Sequence, residues 1–230
     1  MCGRYALGKM QWWILQQTFK LQQSALNLEP RWNVAPTQQA PVIRQGEDGE
    51  NEAVMARWGL VPFFWQKSLK EMKYSTFNAK SETAAQTASY REPFKRRRCI
   101  VPAAGFYEWT GSKGQKQPWF ITLKDQDWFG MAGLWDRAEV DGETIESFTV
   151  LTKTPNAAVQ AIHTRMPVIL DPADFDAWLD TDNQDVESLM AGPPSEAMVI
   201  REANKAVGNV RVDEDWLTEP GDGPQRVGLI

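Results

Sequence analysis

Between Cys99 and Lys153 the chain runs through apolar, aromatic and β-branched stretches, CIVPAAGFYEW, PWFITLK, WFGMAGLWDRA and SFTVLTK, separated by polar turns such as GSKGQKQ and EVDGET. Strands joined by turns this short fold back beside one another, so antiparallel pairing is expected. The regular strand–helix alternation of a doubly wound sheet is missing, which directs the reading to an α+β fold. Helices are expected at the margins. Gln11 to Leu28 places Trp12, Leu15, Phe19 and Leu26 at helical spacing, and Asn78 to Ser89 is rich in Ala with Glu82 near its start. Pro155 to Ile162 and Pro172 to Leu179 each carry Pro in their first turn. The expectation is one α+β domain over residues 1–213 with an antiparallel, barrel-like β core and flanking helices. An acidic, Gly- and Pro-containing stretch from residue 214 to 230 reads as a weakly ordered tail.

A chain of 230 residues can bury a full core, and it has no apolar run of the roughly 18 residues that a membrane span needs. MCGRYALGKMQWW lacks the basic and apolar regions of a secretion signal. Two cysteines, Cys2 and Cys99, and one histidine supply neither a disulfide framework nor a zinc ligand set. A reducing cytoplasm is the expected compartment, and no metal or organic cofactor is expected. The net charge of −5 argues against a generic nucleic-acid binder, yet it is unevenly spread. Residues 1–100 hold 15 Lys/Arg against 8 Asp/Glu, and the remainder holds 10 against 22. Such a split is compatible with one basic face for an anionic ligand, and equally with ordinary solvated charge.

Removal of Met1 would leave Cys2 with a free α-amine, whose reference pKa near 7.7–8.0 keeps a useful fraction neutral. A neutral amine condenses with an aldehyde to an imine, and the neighbouring thiol can close a five-membered thiazolidine. Taken by position alone, Cys2 reads more simply as a small residue in a mobile terminus.

The pieces MCGRY, RWNVAPTQ, WGLVPFFW, FNAKSET, RRRCIVPAAGFYEW, HTRMPVIL and KAVGNVR occur in this order, from residue 2 to about residue 212. In that order they resemble the SRAP family, the SOS-response-associated proteins that sense abasic sites in single-stranded DNA. The resemblance implies a single α+β domain with a barrel-like β core. It also implies a thiazolidine crosslink between the N-terminal cysteine, here Cys2, and the ring-opened sugar aldehyde. Glu108 in GFYEW matches the family's active-site glutamate, which needs a carboxyl raised by burial among Phe106, Tyr107 and Trp109 to act as an acid at pH 7, with a solvent-facing Glu on an alternating strand as the competing reading. His163, the only histidine, matches the H-x-R-x-P histidine and is suited to shuttling protons. Asn78 matches an asparagine beside the reactive terminus, with a helix N-cap as the competing role.

For DNA, the resemblance makes Arg4, Lys80 and Arg165 the candidates for phosphates, with Lys80 standing where arginine is usual. Phe64 and Trp65 match aromatics that wedge against bases, and Phe64 replaces a tryptophan found in some relatives. Asn33 and Pro36 are expected to shape a loop near the site, and Asn33 and Asn209 to contact DNA. The basic run from Lys95 to Arg98 either extends the basic face or leads into the next strand. Trp58 and Cys99 are expected in the core. The expected partner is single-stranded DNA carrying an abasic site, held by a monomer at the nucleoid. Replication-fork partners are compatible with this reading, and crosslinking leaves room for a lyase side reaction through the imine. The rivals are an N-terminal-nucleophile or cysteine peptidase using Cys2, His163 and Glu108, with autoproteolysis of its leader residue, and a non-catalytic single-strand-binding module.

Overall fold

The β-rich middle of the chain closes on itself. In the computed structural model, which describes residues 2–112 and 114–221, strand β1 (Tyr5–Ala6) and helix α1 (Trp12–Phe19) lead to the hairpin of β2 (Gln39–Gln45) and β3 (Asn51–Trp58). A short strand β4 (Asn78–Lys80) runs into α2 (Ser81–Ala84) and α3 (Arg91–Arg96). Then come β5 (Arg98–Ala103), β6 (Gly105–Thr110), β7 (Gln117–Leu123), β8 (Phe129–Val140) and β9 (Glu143–Lys153). The last named elements are α4 (Ala157–Gln160), β10 (Met166–Pro167), α5 (Phe175–Leu179) and β11 (Met198–Glu202).

Five strands form a closed barrel in the order β9, β3, β2, β5, β8 and back to β9. An odd-numbered ring cannot be antiparallel throughout, because strand directions that alternate around it must meet one mismatch. The mismatch is between β3 and β9, which pair in parallel through Arg57 with Ser147 and Trp58 with Phe148. Continuing along β9, β4 pairs in parallel from Asn78 opposite Val150 to Lys80 opposite Thr152. The expectation of antiparallel pairing therefore holds for the hairpins and fails at this seam.

Period-two alternation sorts the barrel side chains. Val42, Trp58, Val101, Met131 and Phe148, one from each barrel strand, share a single buried cluster, with the Trp58 and Phe148 rings stacked at 6.3 Å. Ile43, Ile100, Leu134 and Leu151 face the other way, onto Leu15 and Phe19 of α1 and Phe175, Trp178 and Leu179 of α5. Trp58 and Cys99 lie in the core as expected. A second sheet, β1-β6-β7-β11, is antiparallel and packs Phe106 and Ile121 against the barrel cluster. Its opposite face buries Tyr107 and Phe120 against Val207 and Leu217. CIVPAAGFYEW thus serves two sheets, splitting after Ala103. At the split Gly105 is required, since a Cβ there would lie 2.4 Å from the Phe120 ring.

The helices are shorter than the sequence suggests. Only Trp12–Phe19 of the expected 11–28 segment is helical, stopped by Lys20 in the left-handed region (φ 57°), whose N–H bonds Gln16 O. The expected 78–89 helix begins as strand β4, because pairing with β9 outweighs the helix propensity of its Ala-rich remainder. Asn156 and Asp171 cap the shortened helical turns after them by accepting from the N–H groups of Val159 and Ala173. Beyond residue 214, Asp215–Thr218 forms a 3-10 turn that buries Leu217, while residues 222–230 of the expected tail lie outside the described residues.

Asn33 requires a correction. It is fully buried, and its Nδ2 donates to the carbonyls of Val207 (3.2 Å), Asn209 (3.0 Å) and Val212 (2.8 Å). Asp213 completes the clamp by accepting from the Asn33 N–H at 2.8 Å, the Trp32 N–H and the Arg31 guanidinium. This residue fastens the 207–213 turn and cannot touch DNA from there. Asn33→Ala should lower unfolding free energy by on the order of 3 kcal/mol in a denaturant titration, because buried carbonyls lose their donor.

Candidate active site

Strand pairing delivers the N-terminus to Glu108. β1 pairs with β6 through Tyr5 opposite Phe106, and the Tyr107 N–H donates to Arg4 O at 3.0 Å. Extending that register by two residues brings Gly3 level with Glu108. Cys2 is 2% exposed, its thiol donates to Arg4 O at 3.7 Å, and its carbonyl accepts from Asn78 Nδ2 at 2.7 Å. Asn78 lies in β4 rather than capping a helix; residue Lys80 holds the N-cap position of α2 without a side-chain cap. The capping role is therefore excluded, and Asn78 binds the reactive segment directly. Its Oδ1 is enclosed and makes no hydrogen bond among the described residues. That leaves a buried acceptor beside Cys2.

Glu108 is 2% exposed in the middle of β6, so it is not the solvent-facing member of an alternating strand. Burial lifts its carboxyl to about 7 from the usual 4.5. Its Oε1, buried without a hydrogen bond among the described residues, is 3.6 Å from His163 Nδ1. Cys2 is pushed well above its ordinary value, first by burial and then by the charge of Glu108. The thiol is therefore neutral at working pH. Burial lowers His163, partly offset by its backbone hydrogen bond to Arg165, so the ring is neutral near pH 7.

His163 hangs below α4 through its N–H to Val159 O at 2.9 Å. Its Nδ1 lies 3.0 Å from both the N–H and the carbonyl oxygen of Arg165. Unprotonated, Nδ1 accepts from that N–H; protonated, it donates to that oxygen. The backbone of Arg165 thus offers a partner for either state. Glu108 and His163 together can hold, deliver or remove a proton next to Cys2.

The expected DNA contacts fare differently from one another. Lys80 is exposed and Arg4 half-buried, and neither forms a salt bridge among the described residues. Arg165 instead makes a two-pronged ion pair with Glu82, Nη1 to Oε1 and Nη2 to Oε2 both at 2.7 Å, and Nη2 also donates to Thr152 O. Its guanidinium is occupied rather than presented to a phosphate. Phe64 is 46% exposed, but Trp65 packs into the cluster of Val61, Ala138 and Val140, edge-on to Tyr74. The exposed neighbour of Phe64 is Phe63, at 54%. Asn209 is exposed, with its Oδ1 accepting from the Arg211 N–H at 3.1 Å. From the basic run, Arg98 is buried against backbone carbonyls, and Arg97 pairs with Asp136 at 3.1 Å.

Three supports have no signal in the sequence. Asp136 and Ser147 hold the aromatic loop by accepting from the N–H groups of Phe63 (2.9 Å) and Val61 (2.7 Å), and Glu82 holds Arg165. Partners 73 and 86 residues apart become neighbours only through barrel closure. Among the described residues no cluster of three or more His, Cys, Asp and Glu side chains could hold a metal ion.

Comparison with known proteins gives a consistent set of likenesses. A family model described as SOS response associated peptidase (SRAP) matches residues 1–210. The Bacillus subtilis (strain 168) protein named abasic site processing protein YoqW is 37% identical over 196 residues, covering 83% of this chain and 85% of its own. The protein named abasic site processing protein HMCES from Gallus gallus is 33% identical over 215 residues, covering 80% of this chain and 64% of its own. A solved Bordetella bronchiseptica structure matches with a TM-score of 0.76 at 28% identity, covering 88% of this chain and 100% of its own. A Bacteroides thetaiotaomicron structure shares the fold with a TM-score of 0.83 at 24% identity, covering 96% of this chain and 100% of its own.

Proposed function

The chain belongs to the SRAP family, and from that premise we propose that it recognises abasic sites in single-stranded DNA and joins itself to them through Cys2. The observation that carries the proposal is the convergence beside Cys2 of the buried Glu108 carboxyl, the His163 ring 3.6 Å from it, and Asn78 bonded to the Cys2 carbonyl at 2.7 Å. In this reading Met1 is removed. The α-amine of Cys2 attacks C1′ of the open-chain sugar, forming the C–N bond. Glu108 gives a proton to the departing oxygen and takes one from nitrogen, so one water leaves and an imine remains. The thiol then adds across C=N, sulfur bonding C1′ and the thiol proton passing to nitrogen, which closes the thiazolidine. Asn78 orients the terminus, with its Oδ1 free to accept from the amine. His163 moves the proton that opens the closed sugar to its aldehyde.

A neutral thiol suits this order, in which the amine reacts first and sulfur closes the ring. It counts against the peptidase alternative, since a cysteine peptidase works through a thiolate whose pKa is depressed while that of Cys2 is raised. The strand would lie along Arg4 and Lys80, with bases against Phe63 and Phe64. Asn209 would meet it from the turn that Asn33 fastens. The reading places a monomeric protein in the cytoplasm, at the nucleoid when bound. No helix among the described residues is long and apolar enough to cross a membrane.

The direct experiment mixes mature protein with single-stranded DNA carrying one abasic site and resolves the products on a denaturing gel. A covalent band should form with the abasic strand and not with undamaged DNA; reversible binding alone would refute the proposal. Replacing Phe63 and Phe64 together with Ala should weaken binding of undamaged strands by about 1–3 kcal/mol per base stacked, read by fluorescence anisotropy. Both side chains are exposed, so the fold should be unaffected.

A further inference from the structure

Arg165 is doubly engaged. Its backbone brackets Nδ1 of His163, and its guanidinium is gripped in parallel by both oxygens of Glu82, 83 residues away in the chain. The grip is geometrically specific, because a planar fork meets a planar carboxylate. The Arg165 side chain is 16% exposed, its Nη2 also reaches Thr152 O, and β10 begins at the next residue. Glu82 sits in the first turn of α2, directly after β4, the strand that carries Asn78. The ion pair therefore ties the turn that carries His163 to the segment that follows Asn78, in addition to the pairing of β4 and β10 with β9.

We propose that Glu82 is a positioning residue: through Arg165 it sets where His163 Nδ1 lies relative to Glu108. The inference rests on the crosslinking function proposed above. Arg165 presents an N–H and a carbonyl to one ring nitrogen, and both contacts fail if the turn shifts by about an ångström. Glu82 stays ionised throughout the working range, because hydrogen bonding to Arg165 holds its carboxyl down at about 2.

His163 is the only histidine in the chain, so its imidazole resonances can be read without assignment ambiguity. The test compares wild type with Glu82→Gln, at a side chain 47% exposed where the substitution should leave the fold intact. Long-range ¹H–¹⁵N spectra of the free protein should show Nδ1 and Nε2 shifts displaced from their wild-type positions in the variant. Single-turnover crosslinking should show a maximal rate about 10-fold lower, with the DNA concentration at half-saturation unchanged. Arg165→Lys, which keeps the charge and loses the fork, should reproduce both effects. An unchanged imidazole spectrum in Glu82→Gln would overturn the proposal. So would tighter binding of undamaged DNA with an unchanged maximal rate, since Glu82 would then be competing with phosphate for Arg165. Wild-type crosslinking in the same experiment reports on the function itself, and the spectra, recorded without DNA, report on the positioning alone.

Discussion

Cys2→Ala protein should give no stable crosslink to abasic single-stranded DNA, a complete loss rather than a slowed reaction. The α-amine survives this substitution, so the imine can still form; what disappears is the sulfur that closes the ring. Borohydride should therefore restore a band by reducing the imine. Cys2→Ser should behave in the same way, since a hydroxyl is a much weaker nucleophile than a thiol toward the imine carbon. A chain that retains Met1 carries its free amine one residue too early and should give neither product. The comparison is made on one denaturing gel, with and without reductant. A stable, reductant-independent band from Cys2→Ala would show that another nucleophile makes the bond.

The second large effect belongs to Glu108. A positioned acid–base group is worth about 10²–10⁴ in rate, so Glu108→Gln should slow crosslink formation at least 100-fold with little change in binding of undamaged strands. Because burial holds the wild-type carboxyl near 7, the wild-type rate should inflect there and the Gln variant should not. The same shift has a stability consequence. The folded protein keeps the Glu108 proton up to about 7, whereas the unfolded chain releases it near 4.5. Stability associated with this group is fully present below 4.5 and is lost as pH rises to about 7. At pH 8 Glu108→Gln, which has no charge to bury, should be more stable than wild type by on the order of 2 kcal/mol in a denaturant titration. A variant that is destabilised and loses DNA binding together with activity would instead make Glu108 structural.

How much of this was legible beforehand differs from residue to residue. The hairpins β6–β7 and β8–β9, between Gly105 and Lys153, were readable because their alternation and turn residues are local. The burial of Glu108 was not readable from β6 alone, where a lone Glu in an alternating run reads as solvent-facing; only the family resemblance pointed inward. Barrel closure was not readable either, because a parallel seam between β3 and β9 leaves no mark on either strand. For the same reason Asn78–Lys80, followed by an Ala-rich stretch, resembled a helix until its partner strand was in place. Asn33 and Arg165 illustrate the limit of motif matching. Each sits where a motif places it, yet one is clamped to the 207–213 turn and the other to Glu82, by contacts over 174 and 83 residues. Phe63 emerged beside Phe64 because Asp136, far along the chain, sets the direction of the loop.

The central claim concerns one bond-forming residue and two of its atoms. It is tested most directly by intact-peptide mass spectrometry of the crosslinked product, after nuclease digestion of the DNA and proteolysis of the protein. The account predicts that the peptide beginning at Cys2 carries the abasic deoxyribose minus one water, with neither a free thiol nor a free α-amine left to alkylate. Attachment at any other residue, or an adduct at Cys2 that retains a free thiol or a primary α-amine, would contradict it.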